Sequence, residues 1–222
     1  MTKTSRKSAP APLGPEGFRA EANVSRETLA RFEAYAALLR KWSAAINLVG
    51  RDSLTDLWRR HMLDAAQLLP LLPDAPAGRP RVVLDIGSGA GFPGLVLAIL
   101  GAGEVHLVES DTKKAAFLRE AARATEAEVA IHNKRIEDLA PFPVDVVTAR
   151  ACAPLPRLLD YAAPFLRVSE NAAALFPKGR TVNAELTDSI QKWHMQHEIF
   201  PSRSDPSGAI LRLTQIEEGC GP

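Results

Sequence analysis

Cysteine is scarce: Cys152 and Cys220 are the only two in 222 residues. That excludes a disulfide framework and any thiolate-zinc spacing, and it makes a reducing cytoplasm the expected setting. No apolar run approaches the ~20 residues that a membrane helix needs. The polar, basic N-terminus has no apolar stretch of the kind a secretory signal carries. Neither sign of charge is in overall excess: 27 Lys and Arg face 26 Asp and Glu, a net of +1. What remains is ordinary for a water-soluble globular chain, with 46% hydrophobic and 24% charged residues. The length suits one domain with an added lobe.

The balance of charge conceals an asymmetry. Residues 1–80 carry 12 Lys/Arg against 8 Asp/Glu, and residues 81–222 carry 15 against 18. A mildly basic N-terminal part beside a second domain suits an anionic partner such as RNA, and equally a solvated surface. Residues 1–23, rich in Ala, Pro, Lys and Arg, read as a flexible basic tail. Ser25 suits the N-cap of a helix carrying Leu29, Phe32, Ala36 and Leu39 on one face. A second helix is expected over 53–72, with Leu57, Met62, Leu63, Ala66 and Leu69 apolar. The Pro- and Gly-rich stretch 73–78 reads as a linker, giving a helical lobe over 24–78 and a second domain over 79–217.

In that second domain strands and helices alternate, the pattern of a doubly wound α/β fold with a mostly parallel sheet. Strands are expected at 81–86, 105–109, 129–132, 144–149 and 172–176, with helices from Pro93, over 112–125 (Asp111 as cap), 155–166 and 182–191. Two late strands, 197–200 and 209–215, read as an antiparallel edge.

The most informative segment is Leu84-Asp85-Ile86-Gly87-Ser88-Gly89-Ala90-Gly91-Phe92-Pro93-Gly94. A buried strand ends in an acid, breaks into alternating glycines and enters a helix. Two frames fit. Gly89-x-Gly91-x-x-Gly94 matches a dinucleotide fingerprint but leaves Gly87 unused. Asp85-x-Gly87-x-Gly89-x-Gly91 uses every element. A carboxylate beside the loop is badly placed for a pyrophosphate and suits S-adenosylmethionine, which has a sulfonium, an ammonium and no phosphate. On this reading Asp85, Gly87, Gly89 and Gly91 face the methionine end. Glu109 ends the second strand, 24 residues on, where an acid takes ribose hydroxyls in either frame. Ile136 and Glu137 follow the third strand, on the side of an adenine. Arg150 ends the fourth strand and suits the donor's carboxylate, an RNA phosphate or a local salt bridge.

Other features carry less. Cys152 reads as a small buried cysteine rather than a nucleophile. Lys178 and Arg180 suit a phosphate or a solvated turn. His194-x-x-His197 has no further ligand at metal-binding spacing, so no metal is expected. Trp42, Trp58, Arg40, Arg51, Arg59 and Arg60 have the chemistry to stack on or clamp RNA, with Trp42 on the apolar side of its helix.

Between Leu38 and Arg180 the chain resembles the bacterial 16S rRNA guanine-N7 methyltransferases, the glucose-inhibited division protein B family. The marks are Trp42-x-x-x-Ile46-Asn47-Leu48, Arg60-His61-x-x-Asp64, the glycine string, Glu109-Ser110-x-x-Lys113-Lys114-x-x-Phe117-Leu118, Arg150-Ala151-x-Ala153-x-Leu155 and Pro177-Lys178-Gly179. Ala65, where many members have serine, and Phe176, where an aliphatic residue is usual, depart from the pattern. The resemblance implies a class I S-adenosylmethionine-dependent methyltransferase with a Rossmann-like fold and a small N-terminal helical lobe. It implies donor contacts at Gly87, Phe92, Ile136, Glu137 and Arg150. It also implies methyl transfer to N7 of a guanosine in the decoding region, with 16S rRNA, the 30S subunit or an assembly intermediate as partner. Because guanine N7 bears no proton, no catalytic base is expected. A cytoplasmic monomer is the corresponding expectation. The alternatives are a methyltransferase acting on another RNA or a small molecule, and a donor-sensing RNA-binding module without turnover.

Overall fold

The computed structural model describes residues 12–166 and 172–219. Among them the sheet has seven strands: β1 (Val82–Ile86), β2 (Glu104–Val108), β3 (Val129–His132), β4 (Val146–Ala149), β5 (Ala173–Lys178), β6 (Trp193–Pro201) and β7 (Ala209–Glu218). Their order is β3-β2-β1-β4-β5-β7-β6. The first five run parallel, and β7 enters antiparallel between β5 and β6. Val83, Leu84, Val146 and Val147 are buried, which is why the central strands read as continuous apolar runs. The edge strand β6 is largely exposed and polar. The chain winds from β1 outward through β2 to β3, then returns to β4 on the other side. Strand order therefore reverses between β1 and β4, and a crevice opens at their C-terminal ends.

Connecting helices follow local signals. Asp111 caps α6 (Thr112–Ala124; numbering in chain order below) by accepting from the backbone N–H of Lys113 and Lys114 at 2.8 and 3.1 Å. The helix after the glycine loop, α5, spans Gly94–Ile99 with Pro93 at its N-cap, one place earlier than the first-turn position expected for it. Helices α7 (Leu155–Leu166) and α8 (Val182–Ser189) cover the opposite face.

The N-terminal region differs from expectation in three ways. Residues 1–11 of the expected tail lie outside the described residues, but Pro15–Ala22 form a helix, α1. Pro15 starts it at N1, where its missing N–H costs nothing. Phe18 is wholly buried, edge-on to Phe32 at 4.9 Å and 5.5 Å from Trp58. Next, α2 (Arg26–Ser43) starts at Ser25, whose hydroxyl accepts from Thr28 N–H, and buries the four expected residues. The single helix expected over 53–72 is instead broken into α3 (Arg51–Leu54), a π-helical turn (Trp58–Leu63), α4 (Asp64–Ala66) and a 3-10 turn (Leu69–Leu71). Finally, Phe18, Phe32, Leu39 and Met62 share one continuous core with Val83, Leu95, Leu107 and Phe117. The stretch 73–78 is a loop as expected, but it does not divide two cores.

Candidate functional site

The glycine loop leaves β1 at Ile86 and crosses the crevice. Gly87 has φ +67°, and a Cβ there would lie 2.6 Å from the Cys152 sulfur. Only glycine lets the two segments meet so closely. Gly91, at φ +93°, faces the other way: its Cβ would lie 2.6 Å from the Tyr35 hydroxyl. That hydroxyl donates to the Ala90 carbonyl, so α2 braces the loop from behind. The missing side chain of Gly91 makes room for Tyr35, Leu95 and Leu118 behind the loop.

Asp85, expected on the methionine side, turns inward. Its carboxylate is completely buried and accepts from Gly94 N–H at 3.1 Å and from the Thr148 hydroxyl at 3.0 Å. Burial pushes its pKa up to about 6, against the opposing effect of those hydrogen bonds. The acid fastens the two ends of the loop to β4 instead of facing the crevice.

Two cavities border the loop and a third lies beside them. One, of about 340 Å³, is lined by Gly87, Glu109, Ile136, Glu137, Cys152 and Tyr161 among others. A second, of about 320 Å³, is lined by His61, Gly87, Gly89, Phe92 and Arg150 among others. The third and largest, of about 860 Å³, lies beside β4 and β5 and is lined by Arg60, Arg150, Cys152, Pro177, Lys178 and Asp205 among others. Gly87 belongs to the first two, and the segment 150–154 contributes to all three.

Of the expected residues, the fold thus gathers Gly87, Gly89, Phe92, Glu109, Ile136, Glu137 and Arg150 on these walls. Glu109 accepts from Gly89 N–H at 2.9 Å with one oxygen and from Asp111 N–H at 2.7 Å with the other. It therefore ties the loop to α6 while keeping lone pairs for hydroxyl donors. Arg150 is not paired at random. It donates to the Arg60 carbonyl and to Asp64, both at 3.1 Å, and to His61 Nδ1 at 2.8 Å, and it lies 4.9 Å over the Phe92 ring. His61 also stacks on Phe92, with ring centroids 5.0 Å apart. Burial first, then the charges of Arg150 and Arg60, depress the His61 pKa to about 3, so its ring is neutral.

His61 and Asp64 join this cluster although the site residues expected from the sequence do not include them. Their motif was visible, but the partner that gives it meaning lies 86 to 89 residues away. Three side-chain readings change as well. Cys152 is exposed at the junction of the cavities rather than buried, and partial desolvation of its sulfur, with the negative charges of Asp85, Glu109 and Glu137, raises its thiol pKa. Trp58 is buried in the core and offers no stacking face, whereas Trp42 packs edge-on to Phe117 on the apolar side of its helix, as expected. Lys178 is paired with Glu185 at 2.8 Å, which leaves Arg180 as the exposed cation of its turn.

A family model described as rRNA small subunit methyltransferase G (GidB) matches residues 28–206, well beyond the motifs between Leu38 and Arg180. The chain belongs to the rRNA small subunit methyltransferase G family. Relatives bearing the name ribosomal RNA small subunit methyltransferase G include one from Rhodospirillum rubrum, 58% identical over 92% of this chain and 98% of the relative. One from Paramagnetospirillum magneticum is 55% identical over 93% and 98%. Solved structures of the same fold include magnesium protoporphyrin IX methyltransferase from Synechocystis with bound SAM, with TM-score 0.55 and 13% identity over 86% of this chain and 97% of that one. Another is the ribosomal protein L11 methylase from Lactobacillus delbrueckii, with TM-score 0.52 and 16% identity over 68% and 75%. Like them, this member of the rRNA small subunit methyltransferase G family has the class I S-adenosylmethionine-dependent methyltransferase fold.

Proposed function

We propose that the chain transfers a methyl group from S-adenosylmethionine to N7 of a guanosine in the decoding region of 16S rRNA. The observation that carries this reading is the convergence of three cavities on the segment 150–154. Two small cavities share the glycine loop and have the chemistry of a nucleoside and an amino acid. A third is large enough for a nucleoside and bordered by Arg60, Arg150 and Lys178. The fit of the donor is supported by Gly87, on the wall of both small cavities, where a Cβ would lie 2.6 Å from the Cys152 sulfur. Glu109 would take the ribose, Ile136 and Glu137 the adenine side, and Gly87, Gly89, Phe92 and Arg150 the methionine side.

When bound, S-adenosylmethionine supplies an electrophilic methyl carbon on a sulfonium. Guanine N7 offers a lone pair and carries no proton, so the chain has none to remove. Three carboxylates near the cavities have other partners: Asp85 holds Gly94 and Thr148, Asp64 holds Arg150, and Glu185 holds Lys178. The work of the residues is to align the reactants and exclude water, which supplies ~7–11 kcal/mol in well-oriented reactions. The setting that follows is the cytoplasm. Among the described residues no helix is long and apolar enough to cross a membrane.

The test is transfer of labelled methyl to unmethylated 16S rRNA, naked and in 30S particles, mapped by borohydride–aniline cleavage at N7-methylguanosine. A single cut in the decoding region is expected. Label at another atom or on another RNA, or no label despite donor binding, overturns the assignment of substrate.

A further inference from the structure

Four carboxylates line the largest cavity: Asp64, Glu185, Asp188 and Asp205. Three of them have partners. Asp64 accepts from Arg150 and Gln67, both at 3.1 Å, and from the Ser204 hydroxyl. Glu185 accepts from Lys178 and Thr181, both at 2.8 Å, and from Leu155 N–H at 2.9 Å. Asp205 accepts from the N–H and the hydroxyl of Ser207, both at 2.8 Å. Asp188 is exposed and has no hydrogen bond or ion pair among the described residues.

The helix directs Asp188 at the cavity. Thr181, Ala184, Glu185 and Asp188 all stand on its wall, and spacings of three, four and seven mark a single face of α8. Val182, Leu186 and Ser189 are the buried residues of that helix. Asp188 also sits in the last turn of α8, where the helix dipole disfavours a negative charge. Neither a salt bridge nor the helix itself accounts for an acid there.

Resting on the reading of this cavity as the acceptor site, we infer that Asp188 sets the preference for guanine, its carboxylate accepting from N1–H and the 2-amino group of the base. Guanine has two acceptors, N7 and O6, on one edge, and these two donors follow on the next. For transfer, N7 turns toward the segment 150–154, which this cavity shares with the two smaller ones. O6 lies beside N7, and Arg60 and Arg150 bring donors to the same cavity. The two N–H groups then need an acceptor, and Asp188 is the carboxylate left open for them. Adenine would present a lone pair at N1 and no 2-amino group, so the same carboxylate repels it.

The test is single-turnover methylation by the whole protein of 16S rRNA, naked and in 30S particles, with guanosine or inosine at the target position. Inosine keeps N7, O6 and N1–H and lacks the 2-amino group. The wild type is expected to prefer guanosine by about tenfold or more, as for loss of one hydrogen bond to a charged group. In Asp188→Ala that preference should fall toward one, with the larger loss of rate on guanosine. Asp188→Glu, which keeps a carboxylate, should retain part of the preference. Affinity for S-adenosylhomocysteine should stay at the wild-type value in both variants, because Asp188 lines neither small cavity. A merely solvated acid would behave differently: its removal would strengthen binding of the polyanion and leave the preference unchanged. That result, or a wild type that treats guanosine and inosine alike, overturns the inference. A wild type that binds S-adenosylhomocysteine but places no methyl on guanosine N7 would overturn the acceptor reading itself.

Discussion

Asp85 shows how far a side chain's role depends on what surrounds it. In sequence it is an acid beside a glycine loop; in the fold it is a wholly buried carboxylate with Gly94 N–H and the Thr148 hydroxyl as donors. Its pKa rises from 3.8 to about 6 on folding, chiefly through burial. The folded protein therefore binds this proton more tightly than the unfolded chain does, and stability falls as pH rises between those values. Comparing wild type with Asp85→Asn in urea unfolding, the wild type should lose about 3 kcal/mol relative to the variant between pH 3 and 7, about two thirds of it between pH 4 and 6. His61 acts in the opposite sense: its folded pKa of about 3 lies below the ordinary value of 6.5, so its contribution is lost as pH falls below that value. His61→Gln should lessen the acid sensitivity of unfolding below pH 6.

At the scale of elements, the N-terminal helices shape the site from behind. Phe18 of α1 fills the gap between Phe32 and Trp58, and its truncation removes a wholly buried ring. Phe18→Ala should cost about 3–5 kcal/mol in urea unfolding, as expected for an emptied core position, whereas a flexible tail would give no change. The amphipathic spacing of α2 and the cap of α6 were legible because period and capping are local properties. The π-helical turn was not. Its wider winding places Trp58, Met62 and Leu63 in the core while turning the Arg60 carbonyl, His61 and Asp64 toward Arg150. Apolar periodicity over 53–72 does not encode that extra residue per turn, because packing against the sheet selects it.

Over the whole molecule, net charge is close to zero, so affinity for a polyanion depends on where cations are placed. Arg60, Arg150 and Lys178 line the largest cavity, and exposed Arg180 stands at the end of β5 beside it. Arg180→Gln should weaken binding to 16S rRNA and reduce the slope of log affinity against log salt by about one, as for loss of a single phosphate contact. Its affinity for S-adenosylhomocysteine should be unchanged, because Arg180 lines neither small cavity. An unchanged salt slope would remove this turn from the RNA-binding surface.

The sequence by itself determined the alternation of strands and helices, the glycine loop and the acid ending β2, since each depends on neighbours a few residues away. It also carried the motifs that place the chain in its family. Tertiary structure decided which groups on those motifs line the cavities. Asp85 and Gly91 turn inward because β4 and α2 supply partners for them, and Arg150 becomes the centre of a cluster because the fold brings His61 and Asp64 to it from a separate layer. A side chain's direction follows from its backbone, but its partner depends on the closure of a long loop, which no local pattern records.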